Sequence, residues 1–372
     1  MRYYVEPGAT GTGIVGGNTW ASAGDLDATL NYVINRPSRG GDEIWALNGP
    51  YYLAAPLVIN NNKEPLSIYG GFKGGENTLC ERDANISSLQ YPTFFQNPSI
   101  LDGRNANRVI NMQNANVCRI DGFVIQNGNA TTATTGLEGG GMRVSGRNIW
   151  LENLVIMDNA AGNNGGGIFT TPIWGLVIKN TIFFNNQATN GGGLGIGDGR
   201  NTLLVNVLFN GNQANGGDGN AIHIMGSNSL KIINNTISGN IGSSATSSSV
   251  YCMQNPNLVE IYNSIIYPDS LTAAGSAVVN VGYCYLSNPL PTPPLPATIN
   301  NLGNNIVSPV NPFINSAGGD FHLQPGSQCI DAGNTNLIFP YSATDLEGNP
   351  RFINNTAGAT TIEVDMGAFE VQ

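Results

Sequence analysis

The sequence predicts an all-β fold, a right-handed parallel β-helix with three short strands per coil, because its motifs recur at a fixed spacing. Glycine-led segments begin at a constant interval, at 139–142, 165–168 and 191–194, and a related one follows at 219–222. This period of about 26 residues indicates stacked units that bury their apolar faces only against their neighbours. It is too short for strand–helix–strand units, which need about 30 residues or more, but it accommodates three strands and three turns.

Two asparagine series run in phase with the glycine segments. Equivalent side chains of successive coils lie about 4.8 Å apart, so their amides can hydrogen-bond along the axis. Asparagine also tolerates the left-handed backbone conformation that a sharp turn requires. We therefore interpret both series as structural ladders. The first series is Asp121, Asn153, Asn180, Asn206 and Asn234, and the second is Asn127, Asn159, Asn186, Asn212 and Asn240.

Three regions are predicted along the chain. Residues 1–60 form an N-terminal cap with a short strand and an amphipathic helix, for which Asp25 is the expected N-cap residue. Residues 61–286 form the coils, which include a lateral excursion at 73–106 and become regular from about residue 118. Residues 287–372 contain a proline-rich surface excursion and irregular coils that close the structure.

Composition limits the classes of partner. Only 11% of the residues are charged and the net charge is −10, with no cluster of Lys or Arg. Nucleic acid and anionic membranes are therefore disfavoured as partners, and a polyanionic sugar would need a basic patch that few residues are available to form. No run of about 20 apolar residues could span a bilayer. Residues 1–5 indicate a strand rather than a signal peptide.

The five cysteines do not show the spacing of a metal site. Cys252 and Cys284 are separated by roughly one repeat, which allows a disulfide between neighbouring coils. Cys80, Cys118 and Cys329 are interpreted as small buried apolar residues.

Several motifs resemble those of known secreted proteins. The glycine boxes followed by 184–186 or 209–212 are similar to the repeats of chlamydial-type polymorphic outer-membrane proteins. The other motifs lie at 4–9, 69–76, 320–327, 329–334, 344–351 and 364–370. They resemble the choice-of-anchor group of large secreted bacterial β-helix proteins, whose architecture is the pectate-lyase-like superfold. The resemblance implies secretion, display on a bacterial outer surface, and adhesion or glycan contact. Members usually end in a sorting domain, and none precedes Gln372, so we expect a piece of a longer protein.

Charged residues of the C-terminal motifs suggest a structural cluster. We interpret Arg351 as the partner of Asp331, Asp345 and Asp365, pinning the last strands over the open end of the coil. A Ca²⁺ site is the alternative, since carboxylate and carbonyl oxygens suit this ion, but no Asp-x-Asp-x-Asp loop supports it. No metal site or other cofactor is therefore predicted. His322, in the same region, is also interpreted as structural.

A candidate ligand-binding surface follows from the register of the glycine boxes. Two aromatic rings, an arginine and a histidine in one outward column are suited to gripping a sugar chain. The column contains Arg143, Phe169, Gly195, His223 and Tyr251, with Arg147, Trp174 and Arg200 near its edge and Asp198 between coils. We interpret His223 as an exposed strand residue, with glycan contact and general acid/base catalysis as alternatives.

Two classes of function remain open. The first is a non-catalytic surface module, either a structural rod or an adhesin that binds an extracellular polysaccharide or a host glycan. The scarcity of charge and the lack of paired carboxylates favour it. The alternative is a polysaccharide lyase, which needs a base with Ca²⁺ or basic residues, or a glycoside hydrolase, which needs paired acids. Glu138, Asp158 and Asp218 lie in predicted turns, but their spacing pairs none of them.

Overall fold

The fold is known from a computed structural model, which describes most of the chain. It describes residues 1–372 except 9–14, 37–40, 61, 63–64, 84–93, 133–135, 228, 244–247, 254–257, 339 and 353–362. In the described part, one large sheet with exclusively parallel pairing winds around an aliphatic core. The predicted right-handed parallel β-helix is confirmed.

The elements follow one another with short connections through most of the chain. From the N-terminus, the first are β1 (Arg2–Val5), a 3₁₀ helix (Trp20–Ser22), α1 (Leu26–Asn35), β2 (Asp42–Leu47), β3 (Gly49–Tyr52), β4 (Leu57–Asn60), β5 (Leu66–Phe72), a second 3₁₀ helix (Leu79–Glu81), β6 (Ser99–Asp102), β7 (Ile110–Asp121) and β8 (Phe123–Gln126). The central elements are β9 (Asn129–Ala130), β10 (Met142–Met157), β11 (Ala160–Ala161), β12 (Ile168–Phe184), β13 (Gln187–Ala188), β14 (Leu194–Ile196), β15 (Gly199–Arg200), β16 (Thr202–Asn210), β17 (Gln213–Ala214), β18 (Ile222–Ile224), β19 (Leu230–Ile233), β20 (Thr236–Ser238) and β21 (Ile241–Gly242). The last are β22 (Val250–Cys252), β23 (Leu258–Tyr262), β24 (Ile265–Ile266), β25 (Leu271–Ala273), β26 (Val278–Gly282), β27 (Tyr285–Leu286), β28 (Thr298–Asn301), β29 (Ile306–Val307), β30 (Phe313–Asn315), a third 3₁₀ helix (Ser316–Gly318), β31 (Asp320–Leu323) and α2 (Thr335–Ile338). No helix among the described residues has the length and apolar character needed to cross a membrane.

Register partners in the central coils reproduce the sequence period. Met142 pairs with Ile168 and Ile168 with Leu194, and Ile222 and Val250 continue the same line over the next two coils. Long strands such as β10 and β12 bend without leaving the ladder, so the large sheet covers most of the coil surface. The two-residue strands β9, β11, β13, β17 and β21 form a second, narrow sheet on the remaining side.

The coils extend further than predicted at both ends. β1 and β2 already pair in the large sheet, and β28 and β29 continue it to Val307, so the range 61–286 is too narrow. Leu290 and Ile299 pack against the end of the core, and the proline-rich segment lies beside the last rung. Prolines, which lack an N–H group, suit the protection of a sheet edge.

Helix α1 has the predicted N-terminal cap. The Asp25 carboxylate accepts a hydrogen bond from the Ala28 amide at 2.8 Å, and Leu26, Leu30 and Val33 are buried. The helix contacts β1, β2 and β4, so its apolar face covers the first coils.

The first asparagine series lies at a sharp turn between strands. Asn153, Asn180, Asn206 and Asn234 have φ values between 46° and 54°. Asn180 donates to the Oδ1 atom of Asn153 at 3.2 Å, and Asn206 donates to that of Asn180 at 3.0 Å. The series is then interrupted, because the Oδ1 atom of Asn206 accepts hydrogen bonds from Arg351.

The second asparagine series is continuous, and all its members except the last are fully buried. Asn159, Asn186, Asn212 and Asn240 are joined in turn by Nδ2–Oδ1 hydrogen bonds of 2.9 Å. Asn127 does not belong to this series. Gly128 occupies the equivalent position on that coil, and its backbone amide donates to the Oδ1 atom of Asn159.

The described residues of the C-terminal segment, 313–338, 340–352 and 363–372, pack along the side of the coils rather than over their open end. We call it the closing segment. The surface that it covers consists of outward-facing apolar residues of several coils, on strands before and after the sharp asparagine turn. One cluster joins Val205 and Ile233 to Ile338 and Val364. A larger cluster joins Ile182, Leu208, Ile265 and Tyr285 to Phe313, Phe321, Leu323, Cys329, Leu346, Met366, Ala368 and Phe369.

Arg351 anchors the closing segment to the coils and is fully buried. Its Nη1 atom donates to the Oε2 atom of Glu370 at 2.8 Å, and its Nε and Nη2 atoms donate to Asn206. Nη2 also donates to the carbonyls of Gly367 and Ala368. Burial raises the pKa of Glu370, and the Arg351 guanidinium opposes this shift.

Arg351 thus forms its direct ion pair with Glu370 rather than with the three predicted carboxylates, although the charges of Asp345 and Asp365 still favour its protonated form. Asp345 accepts hydrogen bonds from backbone amides, among them those of Glu347 and Asn349. Asp365 accepts from the amides of Asp331 and Val371. These carboxylates hold the irregular backbone of the closing segment in place, while the charge of Arg351 is balanced by direct contact with Glu370.

The disulfide that the sequence left possible does not form, since Cys252 and Cys284 are both free. The coil shortens at this point, so Cys252 pairs with Ala273, whereas Cys284 follows β26 on another face. Cys118 and Cys329 are buried as predicted, but Cys80 is exposed.

His322 provides a test of the closing segment by pH. Its Nδ1 atom lies 2.7 Å from Asp320 and its Nε2 atom 3.0 Å from Glu347, and these carboxylates, Glu347 foremost, raise its pKa to about 9. The unfolded value is near 6.5, so the stabilisation is complete below about pH 6.5 and is lost as the pH rises through 9. We expect His322→Gln to cost about 2 kcal/mol at pH 6 and almost nothing at pH 10. Urea unfolding at both pH values measures this, and an equal cost at both would contradict the ion-pair role.

Candidate functional site

Trp174 is held between two arginines at the bend of three successive coils. Arg147, Trp174 and Arg200 are register partners, so the arginines lie on either side of the indole along the axis. The Cζ atoms of Arg147 and Arg200 lie 4.6 Å and 5.0 Å from the centroid of the indole ring. Cation–π attraction therefore favours an arrangement in which both guanidiniums pack against a ring that is itself 44% exposed.

This stack lines a groove of about 570 Å³, which we call the Trp174 groove. Asn116 is the register partner of Arg147 on the preceding coil, so the polar column spans three rung spacings, about 14 Å. Asn114 and Asp198 add polar side chains to the wall of the groove, and Pro172 adds a rigid one. The groove follows the β-helix axis and is open to solvent.

The guanidiniums of the groove lack polar partners within the described structure. In the described part of the structure, neither Arg147 nor Arg200 forms an ion pair or a side-chain hydrogen bond. Arg82, Arg119 and Arg351, in contrast, each pair with a carboxylate. The arginines of the groove are thus free to donate several hydrogen bonds to a ligand.

The remaining predicted site residues form a separate column with the predicted register. Arg143 pairs with Phe169, Gly195 follows, and His223 and Tyr251 complete the column. This column is mostly buried, since Phe169 is 8% and His223 4% exposed. It is therefore not the open aromatic face that the sequence suggested.

Glycines explain why the column is closed. A Cβ atom on Gly195 would come within 3.0 Å of the Phe169 ring, so the ring lies over backbone that has no side chain. Gly191 and Gly219, which have positive φ values, bring their turns against the Cβ atom of His223. The turn that precedes each glycine box thus folds over the outward face of the following strand.

His223 is a buried neutral imidazole rather than an exposed strand residue. Burial lowers its pKa to about 4, and its Nδ1 atom is buried without a hydrogen-bond partner among the described residues. The ring lies 5.6 Å from that of Tyr251, whose pKa is raised by burial and, to a smaller extent, by the charge of Asp218. General acid/base catalysis would require substrate to reach a side chain that has almost no exposed surface.

The structure does not assemble a catalytic carboxylate pair from the predicted candidates. Asp158 accepts a hydrogen bond from Asn185, and Glu138 and Asp218 lie in turns of different coils. Among the residues described, no three His, Cys, Asp or Glu side chains come together as a metal site.

The sequence contained part of the signal for the Trp174 groove. Arg147, Trp174 and Arg200 recur at the coil period, and each stands one rung from the next. Asn114 and Asn116 were missed because an insertion after β9 lengthens the coil that follows them. Nothing in the sequence assigned Pro172 to a binding surface, because only its position in the bend places it beside the groove.

Comparisons with known proteins identify the fold. No protein-family model and no curated protein matches the sequence. Among solved structures, pectate lyase Pel9A superposes with a TM-score of 0.56 and 13% identity, over 100% of this chain and 96% of the other. An alginate lyase from Paenibacillus sp. str. FPU-7 gives a TM-score of 0.41, 12% identity and coverage of 77% and 97%. A glycoside hydrolase gives 0.44, 9% identity and coverage of 88% and 99%.

At 13% identity, the similarity to the pectate lyase shows a shared β-helix architecture and nothing further. The other two superpositions are weaker and support no argument. The resemblance to the choice-of-anchor group and to polymorphic outer-membrane repeats stays a prediction.

Proposed function

We propose that the protein is a non-catalytic module of the bacterial outer surface that binds an extracellular polysaccharide through the Trp174 groove. The observation that carries the proposal is the stack of Arg147, Trp174 and Arg200. Its two guanidiniums pack on the indole, form no ion pair or side-chain hydrogen bond within the described structure, and lie along an open groove. Side chains that are already ordered lose little conformational entropy when they bind a ligand.

The groove suits an extended chain of sugars. Its long direction follows the stacked coils, so successive sugars can lie beside successive rungs. Guanidinium forks donate pairs of hydrogen bonds to neighbouring oxygen atoms, and Asn116 adds an amide at one end of the column. The exposed edge of Trp174 gives apolar contact between these polar groups.

Binding without catalysis is favoured over the alternative of a lyase or glycoside hydrolase. Among the described residues that line the groove, Asp198 is the single carboxylate. Hydrolysis of a glycosidic bond ordinarily requires two carboxyl groups on opposite sides of that bond. The buried column around His223 does not supply the missing group to this groove.

The proposal predicts that Trp174→Ala weakens polysaccharide binding about tenfold, because both guanidiniums lose the ring that orders them. Affinity electrophoresis in native gels that contain a panel of polysaccharides measures the retardation. Tyr52→Ala is the matched control, since Tyr52 is 64% exposed and lies 5.9 Å from the Arg104 guanidinium outside the groove.

Two results would overturn the proposal. One is equal retardation of the Trp174→Ala and Tyr52→Ala variants on every polysaccharide that retains the unchanged protein. The other is release of unsaturated or reducing sugars from a retained polysaccharide, which would replace the binding module with an enzyme.

A further inference from the structure

We infer that the ligand of the Trp174 groove is an acidic polysaccharide, whose carboxylate or sulfate groups bind Arg147 and Arg200; this inference rests on the proposed function. The chain carries a net charge of −10 with only 15 Lys and Arg residues. It nevertheless leaves two arginines of one groove without a carboxylate partner in the described structure. The sequence offered no cluster of basic residues, but the fold forms a basic patch from Arg147 and Arg200, which lie on the coils before and after Trp174.

The distance between the two arginines adds a geometric condition. They stand two rungs apart, about 10 Å, on the same side of the sheet. An acidic chain can engage both only if its charged groups project to one side on non-adjacent sugars. Two such contacts on one polymer reinforce each other, because the second forms at a high effective concentration.

Trp174 makes this pair more selective than two independent surface arginines. A guanidinium packed on an indole keeps its in-plane N–H groups directed away from the ring, towards solvent and ligand. These donors match the two oxygen atoms of a carboxylate or sulfate group. Neutral hydroxyls can accept the same hydrogen bonds, but without the gain from opposite charge.

Asp198 opposes this preference and therefore provides a sensitive control. It is exposed and lines the groove, and its carboxylate lies beyond ion-pair distance of Arg147 and Arg200. A carboxylate close to a bound anion weakens binding by repulsion. Replacing Asp198 by asparagine removes the charge while nearly preserving the shape of the side chain.

The test compares three groups of polysaccharide by affinity electrophoresis at low salt. Polygalacturonate and alginate carry carboxylates, dextran sulfate carries sulfates, and dextran and xyloglucan are uncharged. We expect retardation by an acidic polymer, about a tenfold loss of affinity in Arg147→Gln and in Arg200→Gln, and a gain in Asp198→Asn. The affinity should also fall as salt is raised. Arg104→Gln, which removes an exposed arginine packed on Tyr52, should change nothing.

The outcomes separate the ligand class from the proposed function. Retention by carboxylate polymers or by dextran sulfate identifies which acidic group is recognised, and either result supports the inference. Equal retention by uncharged polymers, with no effect of Arg147→Gln or Arg200→Gln, would overturn the inference and leave polysaccharide binding intact. Retention that responds equally to Arg104→Gln would also overturn it, by showing attraction to overall surface charge. Failure of every polymer to retain the protein would overturn the proposed function itself.

Discussion

Replacing Arg351 by methionine should lower the free energy of unfolding by about 3–5 kcal/mol, the cost of leaving a buried carboxylate without its partner. Glu370 is fully buried and 2.8 Å from the Arg351 guanidinium. The substitution also removes the donors to Asn206 and to the carbonyls of Gly367 and Ala368. Urea unfolding followed by circular dichroism measures the loss.

A more exposed ion pair provides the control for this experiment. Arg119→Met breaks the pair with Glu152, in which the arginine side chain is 35% exposed, and should cost less than about 1 kcal/mol. A second check is pH: burial raises the pKa of Glu370 to about 8 even with Arg351 beside it, so the cost of the orphaned charge should be larger above about pH 8 than at pH 6, where the carboxyl group is protonated. If Arg351→Met costs no more than Arg119→Met, Arg351 does not anchor the closing segment.

Replacing Gly192 by alanine should destabilise the protein by about 3 kcal/mol or more, because the added methyl group meets only backbone. A Cβ atom there would lie 2.5 Å from the carbonyl oxygen of Asn220 and equally close to the amide nitrogen and carbonyl oxygen of Gln213. These atoms belong to the hydrogen-bonded ladders of the coils, so they cannot move aside independently. The same urea unfolding measurement applies.

Gly216→Ala is the matched control, since Gly216 also lies outside the positive-φ region. A Cβ atom there would meet only the Cγ2 atom of Thr189, at an ordinary distance of 3.8 Å. The expected change is within about 0.5 kcal/mol. Similar costs for the two variants would show that the loss does not come from the crowded backbone around Gly192, since alanine acting on the unfolded chain alone would stabilise the protein.

The coil architecture could be predicted because it depends on local repetition. The constant interval between glycine boxes determines which strands pair, and alternation along each strand identifies the inward side chains. Asparagine at the sharp turns was predictable for the same reason, since Asn153, Asn180 and Asn206 need a positive φ value. Whether Cys252 and Cys284 form a disulfide could not be decided from the sequence, because the coil becomes shorter where the repeats lose their glycine boxes.

The position of the closing segment could not be predicted from periodicity. Arg351 contacts Asn206, which lies far away in the sequence, and no repeat relates the two. A weaker signal was present, because Val205 and Ile233 are apolar at positions where Glu152 and Lys179 stand in earlier coils. Apolar residues on the outward face of a β-helix indicate that another part of the chain covers them.

The candidate site was predictable in composition but not in exposure. The spacing of Arg147, Trp174 and Arg200 indicated one column, whereas the burial of Phe169 and His223 depends on how the preceding turns fold over them. That fold-over is a tertiary contact of glycine backbone, and the residue types of the column do not encode it.

The distant attachment of Arg351 has a consequence for the order in which the molecule is completed during synthesis. Each coil can settle on the previous one as soon as the next repeat has left the ribosome or export channel. The flank around Val205 and Ile233 stays exposed until Ile338 and Val364 have been synthesised. A nascent chain therefore carries an uncovered apolar surface for more than a hundred residues after the coil itself has formed.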